Sequence, residues 1–369
     1  MIIPVCEPML TQHEIELVLD CLRSGWISSA GKYLSEFESS WASYCGMRHG
    51  IAVSNGTTAL EIAVRLLELS PGGEVILPTF TIISCAQAVV AGGGTPVLVD
   101  SDASNWQMDV TQIEARITQR TRAIMPVHIY GHPNDMDPLL EIATSHGLAV
   151  IEDAAETHGA EYKGRKCGGM GDVSTFSFYA NKLITTGEGG MVLTQRDDLA
   201  EKARSLRNLC FEKSRRFRHQ ELGYNSRMTN MQAALGVAQV ARIEQIVERK
   251  RAIAHAYSQR LKDVPGISLP VEEPWARSVY WVYGIVLNED TGTDAAQLGQ
   301  RLADKGVDTR PFFLGMHEQP AFHGMGLFHG ERYPVAERLA RQGLYLPTGL
   351  TLGEPQIDQV CDAVRTCLA

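Results

Sequence analysis

The chain has 369 residues, 44% of them apolar, enough for two domains and for a core that can enclose a site. Its 34 basic and 43 acidic side chains leave a net charge of −9, which argues against nucleic acid as a partner of the whole surface. The 8 cysteines show neither a CxxC pair nor dense spacing, and no charged segment leading into an apolar one opens the chain. The expectation is therefore a cytoplasmic protein with reduced thiols, without a disulfide framework, a metal site or a membrane span.

Residues 12–22 place Ile15, Val18, Leu19 and Leu22 at helical spacing, and residues 32–44 read as a second helix beyond a turn-rich loop. From residue 50 short apolar strands alternate with helices. Strands are expected at 50–53, 74–77, 96–99, 123–127 and 148–151, and helices at 59–69, 81–91, 110–117 and 135–146. Strands with almost no polar alternation, separated by helices, predict a largely parallel sheet covered on both faces. Further strands follow around 173–178 and 191–194. Residues 230–261 carry a long helical pattern, taken as the bridge from a large domain (1–240) to a smaller C-terminal one (241–369). There a strand at 279–287 and helices at 294–305, 333–343 and 356–368 are expected.

Three stretches offer chemistry. Ser54-Asn-Gly-Thr-Thr58 lies between a strand and a helix, where backbone N–H groups and the Thr57 and Thr58 hydroxyls can cradle a phosphate, although most such turns serve only as caps. Asp153 ends an apolar strand, the edge where ligands gather in such sheets, with Glu156 and His158 just beyond. Its carboxylate can hold a protonated ring nitrogen, or simply cap a turn. Lys182 stands in a polar turn between two buried strands, followed by Gly187, Gly189 and Gly190, which reach φ values closed to other residues. A desolvated amine there can attack a carbonyl and form a Schiff base; a lysine taken alone is more often a surface group. In that order, cradle, carboxylate and amine meet the needs of pyridoxal phosphate. Residues 202–219 add Arg204, Arg207, Lys213, Arg215, Arg216 and Arg218, a patch for a small diphosphate or a solvated loop.

These motifs also carry a resemblance. Ser-Asn-Gly-Thr-Thr-Ala-Leu (54–60), Val-Ile-Leu-Pro-Thr-Phe-Thr (75–81), Ile-Glu-Asp-Ala-Ala-Glu (151–156), Thr-Phe-Ser-Phe-Tyr-Ala-Asn-Lys (175–182), Thr-Thr-Gly-Glu-Gly-Gly (185–190) and Gly-Tyr-Asn-Ser-Arg-Met-Thr-Asn (223–230) run through most of the chain. Together they resemble the DegT/StrS sugar aminotransferases. The resemblance implies an α/β protein of the type I, aspartate aminotransferase-like fold, with a mainly parallel sheet in the large domain and a smaller α/β C-terminal domain. It also implies pyridoxal 5′-phosphate as cofactor, glutamate as amino donor and a nucleotide-linked keto-sugar as acceptor. Trp26 to Gly31, Ile124 to Gly131, Arg310 to Phe313 and Met316-His317 are similar to the branch acting on GDP-4-keto-6-deoxymannose. Such enzymes serve deoxyamino sugar biosynthesis, as in lipopolysaccharide O-antigen.

By the same resemblance Lys182 is the Schiff-base lysine, Asp153 the partner of the ring nitrogen, and Glu156 the neighbour of the ring hydroxyl. Gly56, Thr57, Thr58 and Ser177 would hold the phosphate. Asn225 and Arg227 would reach the phosphate of the neighbouring subunit's cofactor, which implies a homodimer with shared active sites. An intrachain ion pair is the plainer role for Arg227. His317, Arg215 and Arg218 are candidates for substrate contact. Ile82 departs from the family, which usually stacks an aromatic side chain there; an aliphatic contact forgoes about 0.5–1.5 kcal/mol of aromatic pairing. UDP- or dTDP-linked sugars, sugar acids and cyclitols are alternative acceptors. A dehydratase or a non-catalytic cofactor-binding protein is less favoured, since Lys182 is present and no DNA-binding module is visible.

Overall fold

In the computed structural model, which describes residues 2–69, 72–212, 214–215 and 217–368, the first two helix signals become α1 (Gln12–Ser24) and α2 (Lys32–Tyr44). Thr11 caps α1 while Glu14 reaches back to the Thr11 N–H, the reciprocal pair encoded by a Thr-x-x-Glu start.

The alternating region supplies β1 (His49–Val53), α3 (Gly56–Leu66), β2 (Glu74–Pro78), α4 (Ile83–Ala91), β3 (Thr95–Val99), β4 (Thr121–Ile124), α5 (Met136–His146) and β5 (Ala149–Asp153). A small hairpin, β6 (Glu161–Tyr162) with β7 (Arg165–Lys166), precedes β8 (Val173–Ser177) and β9 (Gly190–Thr194). Seven of these strands form one sheet in the order β1-β9-β8-β5-β4-β2-β3. Neighbours from β8 to β3 are all parallel, as expected. β9 alone runs against both its neighbours, because residues 178–189 make turns rather than the helical crossover a parallel neighbour requires. The strands β1, β2, β5 and β8 therefore end at one edge, which brings Ser54, Thr79, Asp153 and Ser177 to the same side of the sheet.

Several expectations change in the structure. Residues 110–117 form two short 3-10 turns, Val110–Gln112 and Glu114–Arg116, instead of a helix. Asp109 draws the first one tight, accepting bonds from the Thr111 N–H and hydroxyl and from the Gln112 side chain. The long bridging pattern splits after α6 (Asp197–Leu206) into α7 (Asn230–Val240) and α8 (Ile243–Leu261). Arg242 leaves helical geometry at φ −124 and ψ 19, and its guanidinium bonds Glu14 and the Met9 carbonyl. The expected strand at 279–287 begins only at Tyr283, since Tyr280 takes φ 45.

The rest of the chain adds β10 (Ile267–Ser268), β11 (Ala276–Arg277), β12 (Tyr283–Leu287), α9 (Ala295–Asp304), β13 (Arg310–Pro311), α10 (Pro320–His323), α11 (Pro334–Gln342), β14 (Gly343–Leu346) and α12 (Glu354–Leu368). A second, antiparallel sheet runs β10-β12-β14-β13, and β11 extends the β6-β7 hairpin. The buried apolar side chains form two clusters. One packs about the seven-stranded sheet and takes in Val279, Trp281, Phe312 and Tyr333 from beyond residue 241; the other joins α8, α9, α12 and the second sheet, with Ile3. Among the described residues no helix is long and apolar enough to cross a membrane.

Candidate active site

A cleft of about 650 Å³ opens at the carboxyl edge of the seven-stranded sheet. One end is the start of α3. Asn55 caps it by accepting the Thr58 N–H at 2.8 Å, while the N–H groups of Gly56 and Thr57, in the first turn, have no intrahelical acceptor. The Thr57 hydroxyl lies 2.9 Å from Ser84 Oγ, and Ser177 closes the same corner. Gly56 is required by space: a Cβ there would stand 2.7 Å from that of Ser177. In the loop after Lys182 only Gly187 uses its φ freedom, at 80°. Gly190 is needed because a side chain would strike the Asn55 carbonyl, 2.3 Å from the Cβ position. So the glycines expected to bend the loop mainly let β9 press against the cradle.

Across the cleft, Asp153 ends β5 with 2% exposure. Ala155 donates its N–H to Oδ1 and Cys85 its S–H to Oδ2, both at 3.1 Å. Burial pushes the Asp153 carboxyl up, against these bonds and the charge of Lys182. Glu156 is also buried, and burial raises it to about 7 although Lys182 and the Tyr130 N–H favour its charge. The Tyr130 N–H reaches Glu156 Oε2 at 2.7 Å from a left-handed backbone, φ 57, an uncommon conformation for a tyrosine. Lys182 Nζ lies 3.5 Å from Glu156 Oε1 and 3.7 Å from the centre of the Trp281 ring.

Of the residues anticipated from sequence, Gly56, Thr57, Thr58, Ile82, Asp153, Glu156, Ser177 and Lys182 all line this one cleft. His158 lies behind it, with Nε2 on the Ser177 carbonyl at 2.8 Å, Nδ1 without a partner, and burial lowering its ring to about 3. Others lie elsewhere in the chain. His317 is 4% exposed, with Nδ1 2.8 Å from Thr79 Oγ1 and Nε2 3.3 Å from Glu337, so it is packed behind the cleft and does not line it. Arg215 and Arg218 are exposed on the 202–219 loop, Arg218 pairing with Glu212 at 3.3 Å; Lys213 and Arg216 of that tract lie outside the described residues. Asn225 and Arg227 bond each other at 3.0 Å, and Arg227 also bonds Asn208 at 3.1 Å; neither lines this cleft, although the Ser226 carbonyl between them accepts the N–H of Ser54 at its rim at 3.0 Å. Sequence reasoning missed Trp281, Tyr345 and Cys85. None belongs to a motif, and each arrives from a distant or internal helical position; Phe313 was noted only as part of a likeness.

These groups fit pyridoxal phosphate. The cradle offers free backbone donors and hydroxyls to a phosphate, Asp153 is a buried carboxylate facing Lys182, and Lys182 supplies the amine.

The sequence profile described as the DegT/DnrJ/EryC1/StrS aminotransferase family matches residues 8–365. The chain is 44% identical to GDP-perosamine synthase of Caulobacter vibrioides over 99% of its own length and 98% of the relative's. It is 40% identical to dTDP-3-amino-3,4,6-trideoxy-alpha-D-glucose transaminase of Streptomyces venezuelae, covering 91% of this chain and 87% of that one. The crystal structure of S. venezuelae DesV superposes with a TM-score of 0.89 at 39% identity, over 96% of this chain and 94% of DesV.

Proposed function

Because the chain belongs to the DegT/DnrJ/EryC1/StrS aminotransferase family of pyridoxal-phosphate-dependent enzymes, we propose that it moves the amino group of glutamate to the 4-keto carbon of GDP-4-keto-6-deoxymannose. The observation that carries this acceptor is the 44% identity to GDP-perosamine synthase across almost the whole of both chains. A dTDP-linked keto-sugar is the second reading, supported by the 40% identity to the dTDP-sugar transaminase.

The cofactor supplies an aldehyde that combines with amines and a ring that draws electrons from the carbon losing its proton. Lys182 Nζ would be the amine that holds the cofactor. Its free amine would be the base that takes the proton from the donor's α-carbon and the acid that returns one to the sugar carbon receiving nitrogen. Asp153 would keep a proton on the ring nitrogen by offering a fixed negative charge. Glu156, poised near neutrality, accepts a hydrogen bond from Lys182 and can share its proton. The start of α3, with Thr57, Thr58 and Ser177, would anchor the phosphate, and Ile82 would offer an apolar contact to the ring; all of them line the cleft. Asn225 and Arg227 donate to the phosphate in the partner subunit, which makes the working unit a homodimer. Arg215, Arg218 and His317 act in acceptor recognition, the last through the loop around Thr79 that it holds. The same reading places the enzyme in the cytoplasm, in deoxyamino sugar biosynthesis of the O-antigen kind.

Turnover of purified protein with glutamate and a panel of GDP-, dTDP- and UDP-linked 4-keto sugars tests this. Preference for the GDP-linked sugar supports the proposal. Preference for a dTDP sugar moves the assignment to the second reading.

A further inference from the structure

Asp153 receives its second donor from outside any recognised motif. Cys85 lies in the first turn of α4, fully buried, with Sγ 3.1 Å from Asp153 Oδ2 and 3.3 Å from Thr81 Oγ1; Thr81 is fully buried as well. An ionised carboxylate can only accept, so the Cys85 S–H must point at Asp153, and the sulfur is left to accept the Thr81 hydroxyl. The result is a one-way chain, Thr81 O–H to Cys85 S–H to Asp153 Oδ2. Since Ala155 already serves Oδ1, the carboxylate plane is held from both sides, with one lone pair of each oxygen uncommitted.

We propose that Cys85 is a positioning residue, a buried thiol donor backed by Thr81 that fixes the Asp153 carboxylate and keeps it ionised for a cationic ring nitrogen in the cleft. The inference rests on the proposed role of Asp153. The surroundings show why such a donor matters. Burial disfavours the Asp153 charge and Glu156 repels it, while Lys182 and His128 are the cationic groups facing it. His128 is itself engaged with Glu152, 3.0 Å away, and Lys182 must leave its resting contacts during turnover. The Cys85 and Ala155 bonds involve neither of these groups. A thiol is a weak donor, so serine at this position should hold the charge better, and alanine should leave it to the Ala155 N–H alone.

The test compares wild type, Cys85→Ser, Cys85→Ala and Asp153→Asn by equilibrium dialysis of pyridoxal phosphate from acid to neutral pH, with thermal unfolding as a check of fold. Loss of a donor to the charged form makes Asp153 take up its proton at higher pH. The acid limb of cofactor binding in Cys85→Ala should therefore rise by about one pH unit, a tenfold loss of affinity on that limb. Cys85→Ser should move it below the wild-type position, because a hydroxyl is the stronger donor. Limbs that coincide for wild type, Ala and Ser, while Asp153→Asn loses the limb, overturn the role of Cys85 and leave that of Asp153 standing. An Asp153→Asn protein that keeps the wild-type limb overturns both. Should Cys85→Ala not fold, Cys85→Ser decides alone: a limb moved to lower pH supports the proposal, and an unmoved one overturns it.

Discussion

The Lys182 ammonium rests 3.7 Å from the centre of the Trp281 ring, and the Trp281 indole N–H donates to the carbonyl of Asn181 at 2.7 Å. One side chain from beyond the bridging helices thus grips both Lys182 and the backbone beside it. A desolvated contact of this kind is worth about 2 kcal/mol. Borohydride reduction of protein loaded with pyridoxal phosphate should label the peptide carrying Lys182. Lys182→Ala should lose the label and at least about 10²–10⁴-fold in turnover while keeping its fold. Trp281→Phe, which keeps a ring, should label nearly as fast as wild type. Trp281→Leu should label several-fold more slowly; equal rates for Phe and Leu would show that the ring contact does nothing for the lysine.

Trp281 is held in turn by a buried lysine. Lys250, on α8, donates to the carbonyls of Trp281 and Thr348, each at 2.7 Å, with no carboxylate in contact among the described residues, and burial lowers it from 10.5 to about 8. Between these values the unfolded chain binds the proton more readily than the folded one. Stability should therefore rise with pH across that window, by up to about 1.4 kcal/mol per pH unit from this group. Lys250→Met should abolish that share of the slope in urea unfolding of the cofactor-free protein. An identical slope in both proteins would place the charge elsewhere.

Glu156 has the opposite sign. Its carboxyl is raised from 4.5 to about 7, so the folded state holds the proton more tightly and stability falls as pH rises between those values. The penalty is complete above pH 7. Cofactor-free Glu156→Gln should then exceed wild type by up to about 3 kcal/mol, with the advantage gone below pH 4.5. Parallel stability curves for the two proteins would refute this.

The shared-site proposal has its own check. Arg227 bonds Asn225 and Asn208 in its own chain, and neither contact enters the cleft of that chain. If Arg227 serves the partner's phosphate, Arg227→Ala should weaken cofactor binding, and cofactor removal should loosen the dimer. Mixing inactive Lys182→Ala and inactive Arg227→Ala chains should restore activity, because one site in each heterodimer is whole. A mixture that stays dead means Arg227 acts only within its own chain.

The sequence by itself determined the parallel core and the three groups at its edge. Each of Ser54–Thr58, Asp153 and Lys182 sits next to a strand marked by its own apolar run, and strand ends in such a sheet share one side, so local signals were sufficient. The tertiary structure decided what periodicity does not encode. The reversal of β9 depends on a connection without a helix, and the break at Arg242 on a bond to Glu14, which lies 228 positions earlier. His317, which looked available from sequence, is sealed between Thr79 and Glu337. Trp281 bonds Asn181, next to Lys182, across 100 residues, and Cys85 bonds Asp153 across 68. An apolar pattern says which face of an element is buried. It does not say which partner that face meets, because burial is non-directional while a hydrogen bond or ring contact has to be met at one place.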